Sequence, residues 1–150
     1  MSDKKYLVFK INDTGFSIPI EFVGKVIDTL QTRSFQFMKP SFEGLFVFEN
    51  KLIPMIKLQE ALGITSSNVF YSDVEESVIV GKYQHYYFGF RVDIVEGIVT
   101  VASQTLLNRS ENPEPFNNIS TEYSSHLFFD GQTNIFVIDI DKYLINIITD

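Results

Sequence analysis

Short apolar runs, cut apart by closely spaced turn signals, restrict this chain to a few architectures. Gly44-Leu45-Phe46-Val47-Phe48 and Lys51-Leu52-Ile53-Pro54-Met55-Ile56 flank Glu49-Asn50, and Phe88 to Val92 leads through Asp93 into Ile94-Val95-Glu96-Gly97-Ile98-Val99. Each run is too short for a well-formed buried helix and rich in β-formers, so each reads as a strand buried on one or both faces. Short strands at regular turn spacing point to small barrels, because closure removes the edges that would otherwise aggregate.

The same pattern runs along the whole chain. Tyr6 to Ile11 and Phe16 to Ile20 flank Asn12-Asp13-Thr14-Gly15, a hairpin in which Gly15 is expected to supply a positive φ. Glu21 to Gly24 suits one helical turn, and Lys25 to Leu30 a third strand. A loop from Gln31 to Ser41 follows, broken at Pro40. Lys57 to Leu62 reads as a short helix stopped at Gly63. Thr65 to Asn68 is the best candidate linker. Glu76 to Tyr83 and Tyr86 to Val92 flank Gln84-His85 as a further hairpin. Arg109 to Ser120, with Pro113 and Pro115, reads as an exposed loop. Leu127 to Phe129 and Asn134 to Ile138 flank Asp130-Gly131, a strong hairpin signal. In Asp139 to Ile148, the spacing of Ile140, Tyr143, Leu144 and Ile147 predicts an amphipathic closing helix with Asp139 as its cap. The tally is about ten strands, enough for two five-stranded barrels side by side.

At 150 residues the chain is one domain's length, or two small lobes sharing a core, with a split expected near residues 64–74. Hydrophobic residues at 45% argue against disorder. A net charge of -7 argues against a nucleic-acid groove. The absence of cysteine excludes disulfides, thiolate metal sites and cysteine nucleophiles. The polar start Met1 to Lys5 lacks a signal-peptide core, and no apolar run nears the roughly 20 residues of a membrane span. A cytoplasmic protein with no direct membrane insertion is expected, so Asn12, Asn108 and Asn118 read as chance glycosylation matches.

Groups able to carry chemistry are sparse. His85 and His126 stand alone at predicted turns or strand ends, short of the three ligands that zinc needs. Asp139 and Asp141 lie at a helix start, where negative charge is favoured in any case. Asp93 and Glu96 beside Arg91 form a conceivable acid–base set, but such residues between buried strands usually hold turns or local ion pairs. No phosphate-binding glycine loop occurs. No catalytic residue, cofactor or metal is therefore expected. Tyr83, Tyr86, Tyr87 and Phe88 can stack bases or sugars, but without neighbouring basic residues they read better as packing or protein contact. If Leu45 and Val47 fill a barrel, period two puts Phe46 and Phe48 outside, on a surface covered by another lobe or another protein.

Taken in order, Tyr6-Leu7-Val8-Phe9, Phe16-Ser17-Ile18-Pro19-Ile20, Gly44 to Leu58 with its Ile53-Pro54 step, Gly63, Gly89-Phe90-Arg91-Val92-Asp93-Ile94-Val95 and Ile138 to Leu144 resemble the CheW family, the scaffold proteins of bacterial chemosensory arrays. The resemblance covers nearly the whole length. It implies an all-β fold with short helices, in two intertwined five-stranded SH3-like barrels that share a core and exchange some chain. It also implies a non-catalytic adaptor in a two-component system. The implied partners are the regulatory domain of a CheA-type histidine kinase and the cytoplasmic tips of chemoreceptors.

On that basis Val23, Lys25, Val26, Phe46, Phe48 and Glu49 are expected to meet a partner, and Ile94, Val95 and Ile98 to line a cleft between lobes. The family usually carries Asn-Leu-Arg-Gly where this chain has Val47-Phe48-Glu49-Asn50, and an acidic residue at the place of Lys25. A Lys25–Glu49 ion pair of exchanged polarity is expected. That exchange keeps open a divergent relative serving another chemosensory pathway, in motility or pilus signalling. A small barrel binding oligosaccharide or single-stranded nucleic acid is the alternative of a different class.

Overall fold

A computed structural model describes residues 3–28, 41–64, 77–111 and 119–149. β1 (Asp3–Ile11) and β2 (Thr14–Pro19) form the first hairpin. Its turn is made by Asn12 and Asp13, at φ of 52° and 65°, and not by Gly15. Asn and Asp tolerate this region because their short polar side chains bond locally, and here Asp93 Oδ2 also accepts from the Asn12 amide at 2.7 Å. Gly15 is buried within β2, where any Cβ would run into the Ile135 side chain. It is a close-approach glycine.

A 3-10 turn over Ile20–Phe22 leads into β3 (Val23–Asp28). β4 (Phe42–Phe48) and β5 (Lys51–Ile56) join through Glu49 and Asn50, both at positive φ of 51° and 64°. Two such residues in a two-residue loop match the right-handed twist of the flanking strands. α1 (Leu58–Ala61) is followed by Gly63 at φ 76°. β6 (Ser77–Tyr83), β7 (Tyr86–Val92) and β8 (Ile94–Ala102) follow, then β9 (Leu107–Asn108), β10 (His126–Phe129), β11 (Asn134–Val137) and α2 (Ile140–Thr149). The Asp130-Gly131 turn has Gly131 at φ 101°, and Asp130 Oδ1 accepts from the amides of Gln132 and Thr133. Those two donors hold the Asp130 carboxyl below its ordinary pKa. The expected loop before Ser41, the linker at Thr65 to Asn68 and residues 112–118 lie outside the described residues.

The strands form two sheets, one of six in the order β8-β1-β2-β11-β10-β9 and one of five in the order β3-β6-β7-β5-β4. The fold is thus mostly β as expected, with two differences. The two-residue β9 adds a sixth strand beside β10, and neither ring of strand pairs closes, so each sheet is barrel-like rather than a barrel. The chain crosses between them: β1 and β2 join β8 to β11, while β3 to β7 build the other sheet. Within the six-stranded sheet the two chain ends meet by parallel pairing of β11 with β2, reinforced by the Ile138 amide on Ser17 O at 2.8 Å.

Three apolar clusters follow from this layout. The central one draws Phe9, Phe16 and Ile18 from one sheet, Ile56, Ile79, Phe88 and Phe90 from the other, and Ile140, Tyr143, Leu144 and Ile147 from α2. The helical spacing read from the sequence therefore marks the buried stripe of α2. Tyr6, Val8, Val101, Phe128, Ile135 and Val137 fill the six-stranded sheet. Phe46, Ile53, Met55, Val78 and Val80 fill the five-stranded one. Asp139 holds the position before α2, but its Oδ2 accepts from the Ser125 amide and hydroxyl at 3.2 and 3.0 Å, tying the helix start to the residue that leads into β10.

Arg109 departs from its expected place in an exposed loop. It is 6% exposed, and its guanidinium donates to the carbonyls of Ile119, Ser120 and Ser124 while lying 4.8 Å from the Phe136 ring centroid. A planar cation that satisfies several carbonyls at once can be buried where a point charge would be costly.

Candidate docking surfaces

The surface expected around β3 and β4 divides in two. Phe46 is 3% exposed and lies in the inner cluster, whereas Val47 is 66% exposed. This reverses the expected orientation. Register gives the reason: Phe46 pairs with Ile53 and Phe48 with Lys51 on the concave face, and Val47 pairs with Leu52 on the convex one. Room for the Phe46 ring comes from Gly89, where an added Cβ would sit 2.7 and 2.8 Å from two ring carbons. Phe48, half-buried, covers the end of the same cluster.

Lys25 and Glu49 are both exposed, and the ion pair expected between them does not form. Among the described residues the ion pairs are Lys10–Glu96, Lys57–Glu60 and Arg91–Glu43. Lys25 Nζ lies instead 5.7 Å from the Phe48 ring centroid. Because β3 and β4 are the two free edges of the five-stranded sheet, that contact shows the edges curling towards each other. Val26 is 37% exposed, while Val23 packs partly against the central core.

On β8, Ile94 and Ile98 are 53% and 58% exposed and Val95 is half-buried against the central core. Period two would put Ile94 and Ile98 on one face. A bulge intervenes: Val8 pairs with Gly97 and Phe9 with Val95, leaving Glu96 unmatched and Gly97 at φ 136°. Ile98, opposite Leu7, and Val95, opposite Phe9, therefore share the face of the central core. Ile94, opposite Lys10, lies on the other side.

Sequence reasoning missed a second group. Lys51 and Lys82 approach the Tyr87 ring at 4.6 and 5.4 Å from its centroid. Lys82 pairs with Tyr87 across β6 and β7, and Lys25 pairs with Val80, so all three lysines lie on the concave side at one end of the sheet. The tyrosine cluster thus has the basic neighbours that the sequence alone did not assign to it. Lysines beside two expected hairpin turns, Lys51 after Glu49-Asn50 and Lys82 before Gln84-His85, were the available signal. The exposed Val47–Leu52 pair was equally legible once Phe46 was placed inside.

Among the described residues, the acid–base set weighed from the sequence does not come together. Asp93 caps the first hairpin, Arg91 Nε donates to Glu43 at 2.7 Å, and Glu96 lies 3.7 Å from Lys10, so the three go to separate partners. Ser125 Oγ lies 2.9 Å from His126 Nδ1 and 3.0 Å from Asp139 Oδ2. In a serine triad the carboxylate orients the imidazole, which then takes the serine proton. Here the Ser125 hydroxyl donates its hydrogen bond to the carboxylate itself, and the carboxylate does not orient the imidazole. A cavity of about 290 Å³ between α1 and α2 is lined by Lys57, Glu60, Tyr123, Tyr143 and Asn146 among others. Lys57 and Glu60 pair with each other, and Asn146 donates to the Tyr123 hydroxyl at 2.6 Å. Burial, then the nearby Tyr123 and Glu60, push the Tyr143 hydroxyl up to about 12 against a weaker downward pull from Ser41. Among the described residues no three His, Cys, Asp or Glu side chains converge as a metal would require, and no helix is long and apolar enough to cross a membrane.

A family model described as CheW-like domain matches residues 5–146. The chain belongs to the CheW-like domain family. Among solved structures, the scaffolding protein TtCheW from Thermoanaerobacter tengcongensis is similar at TM-score 0.74 and 20% identity, over 91% of this chain and 89% of that one. At that identity the likeness concerns the fold. No curated protein matches the sequence.

Proposed function

We propose that this CheW-like protein is a non-catalytic adaptor of chemotaxis signalling that couples chemoreceptors to a CheA-type histidine kinase. Membership of the family over residues 5–146 carries the reading. Its surface supports it: apolar side chains stand exposed on both sheets, Val47 and Leu52 on the β4–β5 hairpin that ends the five-stranded sheet and Ile98 on the edge strand β8 of the six-stranded one. Isolated exposed apolar residues need no explanation, but a cross-strand pair on an edge hairpin offers anchor area to a partner. On this reading the kinase regulatory domain meets the β3–β4–β5 region, and a receptor helical tip meets the side where Val95 and Ile98 flank the central core. The protein works in the cytoplasm.

The test is reconstitution with purified kinase regulatory domain and receptor tip, followed by sedimentation velocity. A ternary complex faster than either binary one is expected. Binding of neither component would end the proposal.

A second reading, a divergent relative serving another chemosensory pathway, is favoured by Glu49 and Lys25 standing where the family usually has the opposite charges. It differs in partner identity only. Competition between kinase domains from two pathways of the same cell decides it.

A further inference from the structure

We infer that the lysine-ringed end of the five-stranded sheet is a docking surface for an acidic protein face carrying apolar side chains. This rests on the adaptor reading above and specifies the chemistry of one partner. In a chain of net charge -7, Lys25, Lys51 and Lys82 gather at one end of one sheet, around Phe48 and Tyr87. All three are exposed, and none forms an ion pair among the described residues. Lys10, Lys57 and Arg91, by contrast, each have a carboxylate within 4 Å. Glu49 stands exposed in the adjoining turn and forms an ion pair with none of the three.

Each ammonium rests on an aromatic ring, which holds it near the surface without removing its charge. Such pre-placed cations lose less freedom on binding than free lysines do. A carboxylate arriving from outside meets three positive charges held beside two aromatic rings. The same hairpin presents Val47 and Leu52 on its convex side, 66% and 64% exposed. A partner that engages both sides of the hairpin needs acid and apolar side chains together, which a protein face supplies. Nucleic acid fits less well, because Tyr87 already carries two lysines near its ring and so has little free face for a base.

The experiment measures binding of the purified kinase regulatory domain, by isothermal titration, to wild type, to Lys25→Glu/Lys51→Glu/Lys82→Glu and to the matching triple arginine variant. A second probe, a synthetic glutamate- and leucine-rich peptide, is followed by amide and lysine-side-chain NMR shifts, so that the lysines are read whether or not the kinase domain binds. Thermal melts establish that all three proteins fold. The triple reversal is expected to weaken the kinase complex roughly tenfold or more, with arginine preserving it. Wild-type affinity should fall between about 50 and 500 mM salt, while the reversed variant loses most of that dependence. The peptide should shift Lys25, Lys51, Lys82 and Tyr87. Equal affinities and salt slopes for wild type and the reversal overturn the inference and leave the adaptor reading standing. Failure of the kinase domain and the receptor tip to bind wild type defeats the adaptor reading, and the peptide shifts then decide the lysine surface alone: movement at the four residues upholds it, none overturns it. Tighter saturable binding of single-stranded oligothymidylate than of the peptide, abolished by the reversal, also overturns it.

Discussion

Replacing Phe46 with alanine separates the two orientations of β4 more sharply than any other change. Were the ring on the outside, its loss would cost little, as exposed substitutions usually stay within about 0.5 kcal/mol. In the structure the ring is 3% exposed, enclosed by Ile53, Met55, Val78 and Val80, and lies on the Cα of Gly89. Truncating an enclosed phenylalanine costs about 3–5 kcal/mol through lost transfer energy and the cavity left behind. That is a large share of the roughly 5–15 kcal/mol that holds a typical domain together. Phe46→Leu, which keeps most of the volume, is the milder companion and should cost under about 2 kcal/mol. Val47→Ala, at a 66% exposed neighbour, should be nearly neutral.

The neighbouring glycine makes the test stricter. Gly89→Ala puts a methyl 2.7 Å from Phe46 Cε1 and 2.8 Å from Cζ, closer than carbon atoms sit without displacement. Overpacking of that kind costs about 1–3 kcal/mol. With Phe46 cut to alanine the methyl enters vacated space, so the double variant should be more stable than the two single effects predict by about 1 kcal/mol or more. Urea unfolding followed by far-UV circular dichroism gives each value, with an unchanged slope confirming that the unfolded reference has not moved. Tyrosine emission is the second probe, since the chain has seven tyrosines and no tryptophan. Strict additivity, or a Val47→Ala loss larger than that of Phe46→Ala, would refute the inward ring.

Three further outcomes are expected. Glu49 holds φ at 51°, which a residue with a longer side chain adopts at a cost, so Glu49→Asn should stabilise by up to about 1 kcal/mol in the same urea assay. Removing the Arg109 guanidinium leaves the Ile119, Ser120 and Ser124 carbonyls short of donors, so Arg109→Met should cost about 1.5–3 kcal/mol, and Arg109→Lys should recover only part because it lacks the planar fork. Tyr143 is raised from an ordinary value near 10 to about 12, so the folded state holds its proton more tightly than the unfolded chain. Its contribution is complete below pH 10 and is lost as pH rises from there through 12; Tyr143→Phe should flatten that alkaline fall in melting temperature, with a remainder from Tyr6, whose hydroxyl is also raised by burial.

How far the sequence disclosed this molecule depended on whether a signal was local. The turns at Glu49-Asn50 and Asp130-Gly131, the stop at Gly63 and the buried stripe of α2 each depend on residues within a few positions of one another, and each was legible. Facing was not legible in β4, because Leu45, Phe46, Val47 and Phe48 are all apolar and period two carries no information when both phases look alike. What decides the phase is Gly89, three strands on in sequence and two away in the sheet, which provides the space that one phase needs. Gly15 was misread for the same reason: its neighbour is Ile135, brought beside it by the parallel pairing of β11 with β2. Arg109 looked like a loop residue because its carbonyl partners follow in irregular chain, where no periodicity marks them.

The docking surfaces follow the same logic one level up. Ile94 and Ile98 looked equivalent until the Glu96–Gly97 bulge sent them to opposite faces, and Lys25, Lys51 and Lys82 looked scattered until three strands placed them at one end of a sheet. Charge gathered by tertiary structure cannot be recognised from runs of basic residues, and the chain has none longer than Lys4-Lys5. Because the two edges of the five-stranded sheet curl together at Lys25 and Phe48, a partner that grips this end touches β3 and β4 at once, strands linked by a connection that lies largely outside the described residues. On the proposed docking, binding there would stabilise the contact between those edges. If Lys25→Glu weakens binding while Phe48→Leu does not, electrostatic attraction alone is at work; if both weaken it, the joined edges are themselves what the partner recognises.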